Sequence, residues 1–133
     1  MIKYLPIIAV FLLFLGCATR VYIPENLSPA ELIQRAQEAM DRNRFNVAAQ
    51  HYQALLDRNR HNIDLVITAE YHIAFIYYRQ GRYDLARAGF VAMLEHYDSP
   101  DAELLPQHFR RLAQIVLERI DEKENQRRPF RRR

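Results

Sequence analysis

A short stretch of sequence occurs twice in this chain of 133 residues, and this internal repeat limits the folds that the chain can form. Residues 43–48 have the sequence NRFNVA, and residues 81–86 have the sequence GRYDLA. The two copies lie 38 residues apart, from position 43 to position 81, and the correspondence extends to Tyr52 and Phe90. Repeats of about 20–50 residues are typical of stacked units that bury their apolar faces against neighbouring copies. The repeat therefore predicts at least two copies of one structural unit.

Each copy has the apolar spacing of a pair of α-helices. From Ser28 onward apolar residues recur at intervals of three and four, and no segment shows the alternation and turn chemistry of strands. Ser28, the proline after it and Glu31 predict the start of the first helix with a capping box. We expect breaks at Asn43 and Gly81, where Gly81 supplies the left-handed residue after a helix over residues 63–79. The sequence thus predicts an all-α fold of two helical hairpins and a final helix.

The final helical stretch contains a proline, Pro106. Apolar residues follow it at helical spacing, namely Phe109, Leu112, Val116 and Ile120. A proline either kinks a helix or occupies its first turn. Two interpretations therefore stay open, a kinked helix that starts near Pro100 or a long helix that starts at Pro106 after a short turn.

The helical pattern resembles that of the tetratricopeptide repeat, a hairpin whose two helices pack through small and aromatic residues. The second copy matches the family at Ile73, Ala74, Tyr77, Gly81, Tyr83, Ala86 and Phe90, and the first copy matches it at Ala36, Phe45, Ala48 and Tyr52. Arg35 and Ala39 depart from the family pattern, as does Glu70, which stands where the family has a large apolar residue. The resemblance implies a short α-α superhelix of two hairpins over residues 28–121, capped by the C-terminal helix. Because so short an array leaves terminal faces exposed, the final helix, a second copy of the chain or a partner must cover them.

The repeat interval narrows the resemblance further. It is 38 residues here, against about 34 residues in the common tetratricopeptide repeat. Longer repeats of this kind are similar to those of bacterial envelope lipoproteins, notably the BamD-like assembly proteins and the Tol-Pal-associated proteins. This resemblance implies a scaffold or adaptor that mediates protein–protein interactions in a cell-envelope complex, in outer-membrane assembly or envelope maintenance.

The first 16 residues have the features of a lipoprotein signal peptide. One lysine precedes an apolar run from Leu5 to Leu15, which is too short for a bilayer core that needs roughly 20 residues. Cys17, the single cysteine of the chain, follows this run directly after a glycine, although Phe14 stands where lipoproteins usually carry Leu. The resemblance implies cleavage before Cys17 and acylation of its thiol, which anchors a protein in the membrane. The alternative is an uncleaved anchor helix with an ordinary cysteine.

The segment after the signal predicts a tether and a location. Residues 17–27 lie between the signal and the first predicted helix and contain a proline, so we expect a linker between the lipid and the folded domain. Ala18 follows the cysteine, whereas aspartate at that position tends to retain lipoproteins in the inner membrane of two-membrane bacteria. The sequence therefore favours the outer membrane, with the domain facing the periplasm.

The basic charge of the chain lies at its ends. The formal net charge is +3, but residues 17–121 contain twelve basic and fourteen acidic side chains. Residues 122–133 contain six basic and two acidic side chains and form a predicted basic tail. The arginines of this tail are Arg127, Arg128, Arg131, Arg132 and Arg133. Such a run either attracts anionic lipid or an acidic partner, or is a solvated tail without a role. An exported protein is not expected to bind nucleic acid.

One face of the third helix is a candidate binding surface. Tyr71, Phe75 and Tyr78 are spaced at i, i+4 and i+7, and the resemblance to the repeat family places them in its concave groove. Large aromatic side chains are common where proteins bind partners. The alternative is that the final helix packs into the groove and fills it. If the groove is open, we expect a protein partner or, in an accessory lipoprotein, a small ligand or a transporter component.

The sequence offers no catalytic or metal-binding motif, so we expect no enzymatic activity, cofactor or metal. The GxSxG, Walker, Rossmann and HExxH patterns are all missing from it. The histidines, which are His51, His61, His72, His96 and His108, do not have the spacing of metal ligands on a helix. Its carboxylates are scattered over cap and surface positions, so no catalytic pair is evident.

Overall fold

The computed structural model describes residues 20–127, and this part of the chain is helical and contains no strand. Its α-helices are α1 (Pro29–Asp41), α2 (Phe45–Arg58), α3 (Ile63–Arg79), α4 (Tyr83–Leu94) and α5 (Gln107–Arg127), with short 3₁₀ turns at Glu95–Asp98 and Ala102–Leu104. The all-α prediction is confirmed for these residues. None of the described helices is long and apolar enough to cross a membrane. The predicted signal peptide and Cys17 lie outside the described residues, as do the tail arginines Arg128, Arg131, Arg132 and Arg133.

Helix α1 begins with the predicted capping box. The Ser28 hydroxyl accepts a hydrogen bond from the Glu31 amide at 3.3 Å, and Glu31 Oε2 accepts one from the Ser28 amide at 2.8 Å. The two bonds satisfy N–H groups that otherwise lack a partner at the start of a helix. The Ser28 amide, and after it the Ser28 hydroxyl, which donates to Glu31 Oε2 at 2.7 Å, hold the pKa of the Glu31 carboxyl below its usual range.

The two hairpins turn in the same way, so the sequence repeat is also a repeat of backbone structure. Asn43 and Gly81 have positive φ angles of 55° and 73°, which place both in the left-handed region. In each turn, this residue and the next one donate their N–H groups to carbonyls of the preceding helix. The four bonds are Asn43 N to Met40 O (2.9 Å), Arg44 N to Ala39 O (2.8 Å), Gly81 N to Tyr78 O (3.0 Å) and Arg82 N to Tyr77 O (2.9 Å). This is the Schellman arrangement that ends many helices, and the predicted breaks at Asn43 and Gly81 are confirmed.

Both turns lie at the same end of the helical array. Arg79 Nη2 donates a hydrogen bond to Asn43 Oδ1 at 3.3 Å, and the guanidinium of Arg127, at the end of α5, lies 5.2 Å from the Tyr83 ring centre. We call this end the turn end, and it comprises residues 41–44, 79–84 and 121–127. The opposite end, which we call the loop end, comprises residues 25–31, 57–64 and 95–111.

Small residues let the two helices of each hairpin approach closely. The buried alanines at these contacts are Ala36, Ala48, Ala74 and Ala86. In the second hairpin Gly89 makes the contact still closer, because a Cβ atom on it would lie 2.9 Å from the Ala74 Cβ. Tyr52 and Phe90, the aromatic residues that correspond in the repeat, are fully buried. The core therefore alternates small and large side chains along each hairpin.

Helix α5 packs on the second hairpin and follows the second interpretation of Pro106. It begins at Gln107, directly after the proline, and the Tyr97 hydroxyl donates a hydrogen bond to the Pro106 carbonyl at 2.7 Å. Its buried side chains are Phe109, Ala113, Val116 and Ile120. The helix extends to Arg127, past the boundary at residue 121 that we placed between domain and tail. The Glu, Lys and Gln residues in that extension are hydrophilic but also have high helix propensity, so a polar segment can continue the helix.

Residues 20–27, which belong to the predicted tether, pack along the first hairpin. Arg58 donates hydrogen bonds to the carbonyls of Pro24 at 2.9 Å and Ile23 at 3.3 Å. The Val21 amide donates to the side-chain oxygen of Gln50 at 2.9 Å. Ile23 and Leu27 are partly buried against the core of the hairpin. This segment is thus part of the folded domain, because Arg58 bonds its carbonyls at Ile23 and Pro24 and because Ile23 and Leu27 pack against the hairpin.

Candidate functional site

A concave cavity of about 560 Å³ lies between α1, α3 and α5 and is open to solvent. We call it the inner cavity. Its lining residues are Gln37, Met40, Asp41, Asn43, Tyr52, Tyr71, His72, Phe75, Arg79, Phe109 and Leu112. Its volume falls within the range of about 300–1,000 Å³ that is typical of ligand pockets.

The structure places two of the three predicted groove residues in the inner cavity. Tyr71 forms part of its floor and is only 6% exposed, with its ring centre 4.9 Å from that of Phe109. Phe75 is half-buried beside it, 6.0 Å from the Tyr71 ring. Tyr78 lies outside the lining and packs toward the turn end, 5.8 Å from Tyr83. Tyr71 and Phe75 therefore lie on the cavity side of α3, and Tyr78 does not line the cavity.

Helix α5 covers part of the groove that the aromatic residues were expected to form. Phe109 buries Tyr71, so that end of the groove is filled by the chain itself. Leu112, one turn further along α5, is 42% exposed and forms a wall of the inner cavity. Helix α5 thus fills one part of this surface and leaves another part open to solvent.

Two residues of the cavity, Tyr52 and His72, were not predicted as site residues. Their rings stack with centres 4.6 Å apart and planes 5° apart, and the edge of His72 faces Tyr71 and Phe109. Burial, assisted by the neighbouring His108, lowers the pKa of His72 to about 4. The imidazole is therefore neutral at neutral pH and acts as one more flat ring of the floor.

A signal for His72 was present in the sequence. His72, Phe75 and Arg79 follow one another at intervals of three and four on α3, which places them on one helical face. The candidate surface was defined by aromatic residues alone, and this criterion leaves out the histidine and the arginine. Tyr52 was assigned to the core from the repeat alignment, and it is indeed 1% exposed although it also lines the cavity.

The hydroxyl of Tyr52 is exceptional among the described residues. It is buried and has no hydrogen-bond partner, and it is the one such side-chain atom in residues 20–127. Burial raises the pKa of this hydroxyl, which therefore stays protonated. A buried polar group without a partner costs stability, so its presence beside a cavity marks a polar atom that a bound group could satisfy.

The rim of the cavity toward the turn end is polar. Asp41, Asn43 and Arg79 all belong to it. The Arg79 guanidinium lies 5.4 Å from the Phe45 ring and forms no ion pair with any carboxylate of residues 20–127. An aromatic floor with charged groups at one rim suits an apolar side chain or small apolar group that carries polar atoms at one end. In the described part of the chain no three His, Cys, Asp or Glu side chains come together as metal ligands.

Glu70, which departs from the repeat pattern, has a partner in the 3₁₀ turn at Glu95–Asp98. Its Oε2 lies 2.8 Å from His96 Nε2, and both side chains are about 30% exposed. The pair links α3 to the 3₁₀ turn after α4. The polar residue at an otherwise apolar position is thus explained by a contact that the alignment does not contain.

Comparison with known proteins adds one relative. An uncharacterized protein of Treponema pallidum (strain Nichols) is 34% identical to the chain over 98 residues. The matched region covers 74% of this chain and 39% of that protein, so the chain spans about two fifths of the length of its relative. No protein-family model and no solved structure matches the chain.

Proposed function

We propose that this chain is a lipid-anchored scaffold or adaptor of the tetratricopeptide type, which binds a protein partner in a bacterial cell-envelope complex. The proposal includes acylation of Cys17 and a place at the outer membrane, facing the periplasm. The observation that carries it is the inner cavity, because α5 covers Tyr71 yet leaves Phe75 and Leu112 accessible in a concave surface. A fold of helical hairpins with an open aromatic cavity is better suited to binding a partner than to catalysing a reaction.

The composition of the inner cavity supports a protein segment as the ligand. Its walls come from three helices, so one inserted apolar side chain would contact α1, α3 and α5 at once. Interfaces of high affinity typically combine such a buried aromatic centre with a polar rim. Asp41, Asn43 and Arg79 would supply that rim and could bond the backbone or polar side chains of the segment.

The repeated backbone geometry supports the tetratricopeptide assignment. Both hairpins end their first helix with the same pair of hydrogen bonds and a left-handed residue, at Asn43 and at Gly81. Both also bring buried alanines into the contact between helices, as the family pattern requires. These similarities arise from two sequence segments that share few identical residues, which favours a duplicated unit.

A matched pair of variants tests the role of the inner cavity. Leu112 and Leu85 are each 42% exposed, but Leu112 lines the cavity whereas Leu85 lies on α4 away from it. We expect Leu112→Arg to weaken partner binding at least tenfold, about 1.4 kcal/mol, while Leu85→Arg leaves it unchanged. The measurement is chemical cross-linking in intact cells, followed by quantification of the envelope protein recovered with each variant. Equal recovery with Leu112→Arg and with the unmodified chain would refute a role for the cavity in partner binding.

The proposed lipid anchor has its own test. Metabolic labelling with a fatty-acid analogue should label the unmodified chain and should fail with Cys17→Ser. Loss of the label should coincide with release of the chain from the membrane fraction, since multiple acyl chains give stable anchoring. An unlabelled chain would mean that residues 1–16 act as an ordinary signal or as an anchor helix.

A small apolar ligand is the second candidate, and the unpartnered hydroxyl of Tyr52 favours it. A ligand that enters the cavity and accepts a hydrogen bond from this group would remove the cost of leaving it unpaired. Such an accessory lipoprotein would bind its ligand saturably, and Phe75→Ala should abolish binding. Titration of the purified chain with small aromatic and aliphatic compounds, followed by intrinsic tyrosine fluorescence, distinguishes this function from the scaffold.

A further inference from the structure

The two ends of the helical array carry different charge. The turn end contains six basic and five acidic side chains, whereas the loop end contains four basic and eight acidic ones. Two of the acidic residues at the turn end, Asp121 and Glu124, are held by Arg87 at 2.6 Å and 3.0 Å. The unneutralised charge of the turn end is therefore positive, and that of the loop end is negative.

The basic side chains of the turn end are exposed and free of carboxylate partners within residues 20–127. They are Arg42, Arg44, Arg79, Arg82, Lys123 and Arg127. They come from α3, α5 and both hairpin turns, which lie far apart in the sequence. The fold thus gathers these cations on one surface, and the sequence places the remaining tail arginines directly after it.

Aromatic rings hold several of these cations at the turn end. The Arg82 guanidinium lies 4.9 Å from the Tyr77 ring centre. Arg127 and Lys123 lie 5.2 Å and 6.0 Å from the ring of Tyr83. Packing of this kind orders the long side chains while their charged groups stay in water. Tyrosine is also enriched at the interface between water and lipid.

The path of the N-terminal segment leads toward the same end. Ile23 lies beside Arg58 at the loop end, and Val21 lies beside Gln50, which is only five residues from the start of α2 at the turn end. Those five residues correspond to about 8 Å along the helix. The four residues from Val21 back to Cys17 can span at most about 14 Å. An acyl group on Cys17 is therefore close enough to bring a membrane against the turn end.

We propose that the turn end is a docking surface for the anionic lipid of a bilayer. The anionic lipid headgroups attract the free cations of the turn end and repel the acidic loop end. Both effects favour an orientation in which the turn end faces the membrane. The inner cavity then opens sideways, parallel to the membrane, with its polar rim nearest the lipid. This orientation rests on the proposed anchor at Cys17, whereas the basic surface is a property of the described fold.

Single labels at the two ends test the orientation. The full-length acylated chain is reconstituted into vesicles of phosphatidylglycerol with phosphatidylcholine, and into vesicles of phosphatidylcholine alone. A fluorescent donor is attached at Asp84→Cys (turn end) or Asp101→Cys (loop end), two exposed positions at which the substitution removes the same charge. Energy transfer to an acceptor on the lipid headgroups should be stronger from the turn end, and the difference between the two ends should be larger on the anionic vesicles. High salt should reduce the difference. Equal transfer from the two ends on anionic vesicles would overturn the proposal.

Charge reversal identifies the residues responsible. Arg82→Glu combined with Arg127→Glu should remove the difference between the two labels, because each basic residue near anionic lipid changes the docked-to-undocked ratio on the order of fivefold. The control is Arg60→Glu with Arg111→Glu, which makes the same charge change with exposed residues of the loop end. Because cations in the last turn of a helix also stabilise it, thermal unfolding of both double variants shows that each is folded. A control variant that loses orientation as completely as the turn-end variant would refute the assignment of the docking surface.

The same labelling separates this inference from the proposed anchor. An acylated Cys17 has no free thiol, so the chain without an added cysteine should not react with the dye. If it does react, the anchor proposal fails, and flotation of the unacylated chain with the two kinds of vesicle then tests the basic surface alone. Flotation with anionic vesicles that Arg82→Glu and Arg127→Glu abolish would support the surface, and flotation that they leave unchanged would refute it.

Discussion

The contact between Gly89 and Ala74 gives a sharp prediction, because two physical effects oppose each other there. This residue lies in the middle of α4, where glycine costs about 1 kcal/mol relative to alanine. On helix propensity alone, Gly89→Ala should stabilise the protein. However, the added Cβ would lie 2.9 Å from the Ala74 Cβ and 3.4 Å from the Ala74 Cα.

The steric effect is the larger of the two. Both Cβ atoms are fixed directly to backbones, so no side-chain rotation can relieve the overlap, and α3 and α4 must separate by about 0.5 Å to reach an ordinary contact distance. A gap of that size removes a quarter or more of the attraction between the atoms around it. Overpacking of this kind typically costs about 1–3 kcal/mol. After the gain in propensity, we expect a net loss of about 1 kcal/mol in the free energy of unfolding, or roughly 5 °C in Tm.

Urea and thermal unfolding of three variants separate the two effects. Ala88→Gly, at an exposed position of the same helix, measures the propensity difference without a packing change. In the Gly89→Ala background, Ala74→Gly removes the opposing Cβ and should restore part of the lost stability. A higher Tm for Gly89→Ala, by the amount that Ala88→Gly loses, would refute the close contact and with it the packing of the second hairpin.

Three further predictions concern the inner cavity and its surroundings. The free energy of unfolding should fall by about 3 kcal/mol as the pH drops from 6.5 to 4, because His72 has a pKa of 6.5 in the unfolded chain and of about 4 in the folded one. In urea unfolding across that pH range, His72→Gln should show a flatter profile. Tyr52→Phe removes a buried hydroxyl without a partner, so it should raise stability by about 1 kcal/mol, and a loss of stability would show that the hydroxyl is bonded. Glu70→Ala and His96→Ala should show a coupling energy of about 1 kcal/mol in a double-mutant cycle, whereas additive effects would rule out the pair.

Much of the local structure could be predicted from the sequence because its causes act over a few residues. The capping box at Ser28, the left-handed residues at Asn43 and Gly81, and the helix over residues 63–79 each depend on groups within one or two helical turns. Internal similarity at an interval of 38 residues then predicted two hairpins of the same kind. The sequence did not decide where α5 begins, because a proline is compatible with two backbone paths. The choice between them depends on the contact of Tyr97 with Pro106.

The candidate site could be predicted only in part. Tyr71 and Phe75 were found because they share a helical face, but the burial of Tyr71 depends on Phe109, which the chain brings back from α5. The stacking of His72 on Tyr52 joins two helices, and no local pattern contains it. These contacts could not be predicted because the residues that form them are far apart in the sequence.

By itself, the sequence determined the helices, their turns and the duplication, because caps, glycine and apolar spacing act locally on the backbone. Tertiary structure alone decided that α5 covers part of the groove, that Glu70 contacts His96, and that six cations lie together at the turn end. These features depend on which helices lie side by side and at what distance. That distance is set by contacts such as Gly89 against Ala74, which join residues that the sequence keeps apart.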